Sequence, residues 1–140
     1  MRPFVAVRAI VSRPDGQVLI LRRRPGNSAG DRWCLPGGKV EYGETLSAAV
    51  ARELQEETSL RCASSRCLFI QDSLPLQPGG DHYLNVYFEC EALGDPHLSE
   101  EAAGFAWISP AELAGYSLTF RNDEGLSRYW AEQADPSAVT

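Results

Sequence analysis

The chain has 140 residues, of which 44% are apolar and 23% are charged, the balance of one ordinary globular domain. It shows neither an apolar run of about 18 residues nor a signal-peptide pattern, so we expect a cytoplasmic protein without membrane contact. The formal net charge of −6 argues against a nucleic-acid partner, because duplex binding relies on basic surfaces. We therefore expect one domain over residues 1–140, as a monomer or homodimer.

Apolar patterning predicts an α/β domain. Residues 4–11 and 18–21 are apolar and rich in strand-forming side chains, and Pro14 and Gly16 between them indicate the turn of a hairpin. Residues 45–58 contain no glycine or proline and favour a helix. Further strands are predicted at 33–35, 66–71, 83–91 and 105–108, a helix start at 109–113, a helix at 122–133 and a flexible tail at 134–140. Such an order predicts a mixed β-sheet between helices.

The helix at residues 45–58 combines apolar and acidic side chains on one side. At about 100° per residue, its inward face contains Leu46, Ala49, Val50 and Leu54. Glu53 and Glu57 fall within the same arc, and Glu56 lies at its edge. Buried carboxylates repel one another, and Arg52 can pair with only one of them at i+4. Either a divalent cation with oxygen ligands balances the remaining charge, or the acidic side is simply solvated.

The spacing of glycines and charged residues resembles a known family motif. From Gly38 the sequence runs through five residues to Glu44 and through seven more to Arg52-Glu53-Leu54-Gln55-Glu56-Glu57-Thr58-Ser59-Leu60. This resembles the Nudix box, G-x5-E-x7-R-E-U-x-E-E-x-G-U, where U is apolar. The flanking residues 33–41 and 107–113 also resemble the family. The resemblance implies the Nudix fold, an α-β-α sandwich with a mixed sheet in the middle.

One position departs from the Nudix box. Ser59 replaces the second glycine, where the helix ends and the backbone often adopts a left-handed conformation. We expect a cost of about 1 kcal/mol if that conformation is kept. Serine at this position has no charge and no ligand role, so we expect an active protein.

The resemblance implies a site for Mg²⁺ or Mn²⁺. Glu53, Glu56 and Glu57 would bind the ions, and the backbone carbonyl of Gly37 or Gly38 would be a further ligand. The absence of side chains at the two glycines lets the backbone approach a ligand closely. Glu53 or Glu56 is also a candidate to take the proton from the attacking water.

Other residues complete the implied catalytic machinery. Arg52 and Glu44 resemble the pair that orients the helix carboxylates without touching metal. A later acid could act as the base instead, and Glu100 and Glu101 are the candidates, with an ordinary acidic loop as the alternative.

Candidate substrate-binding residues precede the helix. Strand alternation puts at most two of Arg22, Arg23 and Arg24 on one face. Arg23 or one neighbour is therefore the candidate phosphate ligand, with a solvated strand end as the alternative. The other candidates are Trp33, Gly37 and Lys39. Trp33, like Phe69 and Tyr83, could stack on a base or pack in the core.

The predicted activity is hydrolysis of a phosphoanhydride bond in a small nucleotide substrate. Conversion of a nucleoside triphosphate to monophosphate and pyrophosphate is the preferred reaction. Hydrolysis of ADP-ribose or a nucleotide sugar is an alternative, because the residues of the box would contact only the diphosphate and the metal. A non-catalytic nucleotide-sensing module is another, which the complete set of box acids disfavours.

Overall fold

The computed structural model describes residues 2–24 and 32–138, and the last predicted tail residues lie outside this part of the chain. Its strands are β1 (Phe4–Val11), β2 (Val18–Arg23), β3 (Trp33–Cys34), β4 (Gly37–Lys39), β5 (Arg61–Ser73), β6 (Tyr83–Leu93) and β7 (Ala102–Ile108). The helices are α1 (Leu46–Thr58) and α2 (Asn122–Ala134), with short 3-10 helices at Pro110–Gly115 and Pro136–Ala138. No helix in the described residues is long and apolar enough to cross a membrane.

The strands form two sheets. One has the order β4-β1-β6-β5 and the other has the order β3-β2-β7. The β1–β6 pair is parallel and the remaining pairs are antiparallel, so the predicted mixed sheet is confirmed. The turn between β1 and β2 is present, but the prediction that the two strands pair as a hairpin is wrong. A single bridge joins Ser12 to Val18, and the two strands then separate into different sheets.

Alternating side chains of the central strands fill two cores. Val7, Ala9 and Val11 of β1 belong to the core that contains the apolar side of α1. Ile10, one residue out of step, belongs to the core that contains α2. Because strand side chains alternate between faces, each helix packs on its own side. The α-β-α arrangement is therefore confirmed.

Helix α1 begins and ends as its sequence predicts. The side chain of Thr45 caps its first turn by accepting a hydrogen bond from the amide of Ala48. Ala49, Val50 and Leu54 are fully buried, whereas Leu46 is 38% exposed, so the inward face begins later than predicted. Ser59 adopts the left-handed conformation, with φ 64°, and its amide donates to the carbonyl of Gln55. The serine therefore keeps the geometry that favours glycine.

Candidate active site

Strand β4 meets the C-terminal half of α1 through two glycines. A Cβ at Gly37 would clash with the backbone carbonyl oxygen of Val7. A Cβ at Gly38 would lie 2.6 Å from Oε1 of Glu53. Any larger residue at either position would therefore push β4 away from β1 or from the helix.

Glu57 is the most deeply buried acid of the site. Its Oε1 accepts a hydrogen bond of 2.7 Å from the backbone amide of Gly37. Burial raises the pKa of Glu57 to about 8, and the negative charges of Glu53 and Glu101 act in the same direction. The Gly37 hydrogen bond and the nearby guanidinium of Arg8 oppose this shift. The protein groups around Glu57 thus compensate the charge of its ionised form only in part.

Arg52 links the acids of the loop and the helix. Its Nε and Nη2 donate to the two carboxylate oxygens of Glu44 at 2.6 and 2.9 Å. Its Nη1 donates to Glu53 at 3.0 Å and to Glu56 at 3.2 Å. Hydrogen bonding to Arg52 lowers the pKa of Glu44 to about 2, and the same contact raises the pKa of the arginine. The predicted Arg52–Glu56 pair is present, and Arg52 also holds two further acids.

The exposed fractions of the acidic side chains of α1 agree with the side of the helix on which each was predicted to lie. The side chain of Glu53 is 15% exposed, and that of Glu56 is 57% exposed. Burial raises the pKa of Glu53 despite its contact with Arg52. Glu53 and Glu57 therefore face inward, whereas Glu56 lies at the solvent edge.

The acids offer oxygen donors suited to a hard divalent cation. Repulsion from Glu56 raises the pKa of Glu53, and repulsion from Glu53 raises that of Glu57, so a cation would relieve both. Among residues 2–24 and 32–138, no three His, Cys, Asp or Glu side chains are already arranged around one metal position. Arg52 holds two of the carboxylates instead. Metal binding would therefore require the acids to exchange part of their contacts with Arg52 for the cation.

A cavity of about 290 Å³, the arginine cavity, opens beside Glu57. It is lined by Leu21, Arg22, Arg23, Arg24, Cys34, Glu57, Glu101 and Ala102. The register of β2 against β7 shifts between Arg22 and Arg23, which breaks the alternation of side chains. All three arginines line the cavity, but lining one cavity does not by itself put their side chains on one face, so the limit of two on one face stays a prediction.

The two candidate late acids differ in position. Glu101 lines the arginine cavity with Glu57, and its charge contributes to the raised pKa values of Glu53 and Glu57. Glu100 is not among the lining residues, and its backbone carbonyl accepts a hydrogen bond from Nε of Arg24. Glu101 is therefore the late acid that lies at the site.

A second cavity of about 520 Å³, the aromatic cavity, adjoins the first. It is lined by Arg23, Arg32, Ser73, Leu74, Leu76, Gln77, Gly80, Asp81, Tyr83, Thr119 and Phe120. Arg23 lines both cavities, so they lie on either side of this residue. Phe120 could not be predicted as a site residue, because it belongs to no strand or helix pattern that would place it near β6.

Two predicted substrate ligands lie elsewhere. Trp33 packs edge-on against Tyr116, with ring centroids 5.0 Å apart, and belongs to the core beside α2. Nζ of Lys39 lies 3.7 Å from the ring centroid of Phe4. Neither residue lines the arginine or the aromatic cavity. For Trp33 the packing alternative is favoured, and Lys39 contributes to the site through its carbonyl, which accepts from Arg52 at 3.3 Å.

Comparisons with known proteins identify relatives of this chain. The chain is 40% identical over 99 residues to a putative 8-oxo-dGTP diphosphatase 2 of Mycobacterium tuberculosis, covering 69% of this chain and 67% of that protein. It is 35% identical over 94 residues to an ADP-ribose pyrophosphatase of Methanocaldococcus jannaschii, covering 67% of this chain and 54% of that protein. The aligned region thus spans about half to two thirds of the length of these curated relatives.

A solved structure matches the fold over nearly its whole length. The crystal structure of the MutT protein from Methanosarcina mazei Go1 superposes with a TM-score of 0.81 at 26% identity. The match covers 94% of this chain and 96% of that one. The sequence pattern of the NUDIX domain matches residues 2–129. With the acid-bearing helix, the glycine strand and both cavities inside that match, this chain is a member of the NUDIX family.

Proposed function

We propose that the chain is a pyrophosphohydrolase that converts a nucleoside triphosphate to a monophosphate and pyrophosphate with Mg²⁺ or Mn²⁺. The observation that carries this proposal is the arginine cavity, in which three guanidinium-bearing residues lie beside the buried acid Glu57. An acidic protein that handles polyphosphate needs such local positive charge. The names of the two curated relatives, a diphosphatase and a pyrophosphatase, support the same class of reaction.

Glu53, Glu56 and Glu57 would hold the divalent cation, together with the carbonyl of Gly38. When bound, the cation offsets charge on the phosphates and lowers the pKa of a water molecule. Arg52 acts as a positioning residue, because its contacts fix the side chains of Glu53 and Glu56.

Within this scheme the chain supplies a base and a pair of oriented acids. Glu101 faces the arginine cavity and takes the proton from the attacking water, with Glu53 or Glu56 as the alternatives. Glu44 holds Arg52 through two hydrogen bonds and thereby keeps it in place. Arg23 binds the phosphates at the junction of the two cavities.

The arginine cavity favours a triphosphate over a diphosphate sugar, because a triphosphate matches three positive side chains with more negative charge. ADP-ribose is the second candidate substrate. It is favoured by the 35% identity to the relative named ADP-ribose pyrophosphatase. The proposed base and sugar position is the aromatic cavity for either substrate.

A product assay tests the proposal. Purified protein is incubated with Mg²⁺ and nucleoside triphosphates, ADP-ribose and nucleotide sugars, and release of monophosphate and pyrophosphate is followed with and without chelator. Chelator-sensitive hydrolysis of triphosphates is expected. Hydrolysis of ADP-ribose alone would replace the preferred substrate, and nucleotide binding without hydrolysis would favour a sensing module.

The variant Glu57→Gln tests the metal site. It keeps an acceptor for the amide of Gly37 but loses the charge, so turnover should fall at least about a hundredfold while the fold survives. Glu132→Gln, at a partly exposed residue of α2 that lines neither cavity, is the control and should retain turnover. Near-normal turnover of Glu57→Gln would remove Glu57 from the metal site.

A further inference from the structure

Phe120 and Arg121 form an unusual stretch of backbone before α2. Both residues are left-handed, with φ values of 58° and 57°, although neither is glycine. Side chains with a Cβ populate this region sparsely, so surrounding contacts must hold the pair in place. Such outliers in a protein are a reason to look for function, particularly where one of the two side chains lines a cavity.

Side-chain amides of β5 and β6 hold both carbonyl groups of the pair. Nδ2 of Asn85, a fully buried residue of β6, donates to the carbonyl of Phe120 at 2.9 Å. Nε2 of Gln71 donates to the carbonyl of Arg121 at 3.0 Å. Asn85 also donates to Oε1 of Gln71 at 3.1 Å, which fixes the two amides relative to each other. The left-handed pair is therefore bonded to two strands of the sheet.

The ring of Phe120 is held from several sides. The guanidinium of Arg8, only 3% exposed, lies 4.4 Å from the ring centroid, and that of Arg23 lies 5.0 Å away. The ring of Tyr83 meets it edge-on at 5.4 Å. Nε of Arg8 donates to Oδ1 of Asn85 at 3.0 Å. One carboxamide thus holds both the backbone of Phe120 and the cation against its ring.

The held ring lies at the wall of the aromatic cavity, and Arg23 lines both this cavity and the arginine cavity. We propose that Phe120 is the platform on which the base of the substrate stacks, and that Asn85 is the positioning residue that fixes this platform. The inference rests on the proposed nucleotide substrate. A base that stacks on Phe120 takes the place of the Arg23 guanidinium at the ring, and any base can do so because every base has a π-face.

Binding of ligands that are not hydrolysed tests the proposal independently of turnover. Calorimetry with Mg²⁺ compares the α,β-methylene analogues of the four common nucleoside triphosphates with inorganic tripolyphosphate, which has no base. Phe120→Leu should weaken nucleotide binding about tenfold and leave tripolyphosphate binding unchanged. Phe120→Trp should restore nucleotide binding. Phe105→Leu, at an exposed aromatic of β7, is the matched control and should bind both ligands normally.

Asn85→Asp isolates the positioning role. The carboxylate still accepts from Arg8 but cannot donate to Phe120 or Gln71, so nucleotide binding should weaken while tripolyphosphate binding stays unchanged. If circular dichroism shows that this variant does not fold, the Phe120 variants alone test the proposal.

Three results would overturn the inference. They are normal nucleotide binding by Phe120→Leu, equal weakening of both ligands by that variant, and absence of nucleotide binding by the unmodified protein. Normal nucleotide binding by a folded Asn85→Asp would remove Asn85 from the positioning role. Nucleotide binding that depends on Phe120 in a protein that hydrolyses nothing would support the platform and refute the proposed enzyme, so the two failures are distinguishable.

Discussion

The buried carboxyl group of Glu57 makes the stability of the metal-free protein depend on pH. In the unfolded chain it loses its proton near the ordinary pKa of 4.5, whereas burial raises its folded-state pKa to about 8. Between these values the folded protein binds a proton that the unfolded chain lacks, so stability falls as pH rises. At about 1.4 kcal/mol per pKa unit, the loss reaches at most roughly 5 kcal/mol, and relaxation of the site reduces it.

Thermal unfolding in EDTA, from about pH 5 to about pH 9, measures this loss. A glutamine at position 57 carries no charge at any of these pH values, so the Tm of Glu57→Gln should rise relative to that of the unmodified protein by up to about 15 °C across the range. Glu56→Gln, at the exposed edge of the site, should keep the pH dependence of the unmodified protein. Parallel curves for Glu57→Gln and the unmodified protein would refute the reasoning. Added Mg²⁺ should stabilise the unmodified protein most at high pH, because the cation binds the ionised carboxyl.

Three glycine-related substitutions test the packing around the site. Gly38→Ala places a methyl group 2.6 Å from Oε1 of Glu53 and should lower kcat at least about tenfold; an unchanged kcat would contradict the close approach. Gly125→Ala overlaps the ring of Tyr87 and should cost about 1–3 kcal/mol in urea unfolding, whereas an unchanged midpoint would show that the ring can move. Ser59→Gly relieves the left-handed backbone at φ 64° and should stabilise by about 0.5–1 kcal/mol, and a lower midpoint would show that the serine side chain matters more.

The local part of the site could be predicted from the sequence. Helix periodicity alone placed Glu53 and Glu57 on the inward face and Glu56 at its edge, and their exposures follow that order. The i+4 spacing predicted the contact of Arg52 with Glu56. These features depend on residues within a turn or two of one helix, where geometry is fixed by sequence separation.

Contacts between distant segments depended on the tertiary structure. No periodicity of β2 indicates the register shift between Arg22 and Arg23, because the shift belongs to the pairing with β7. Asn85 and Phe120 are 35 residues apart, and their hydrogen bond exists only because β6 and the segment before α2 pack together. The sequence by itself determined the acids, their spacing and the helix that carries them. The tertiary structure decided which arginines, which late acid and which aromatic ring surround them, because long-range packing and strand register leave no local signal.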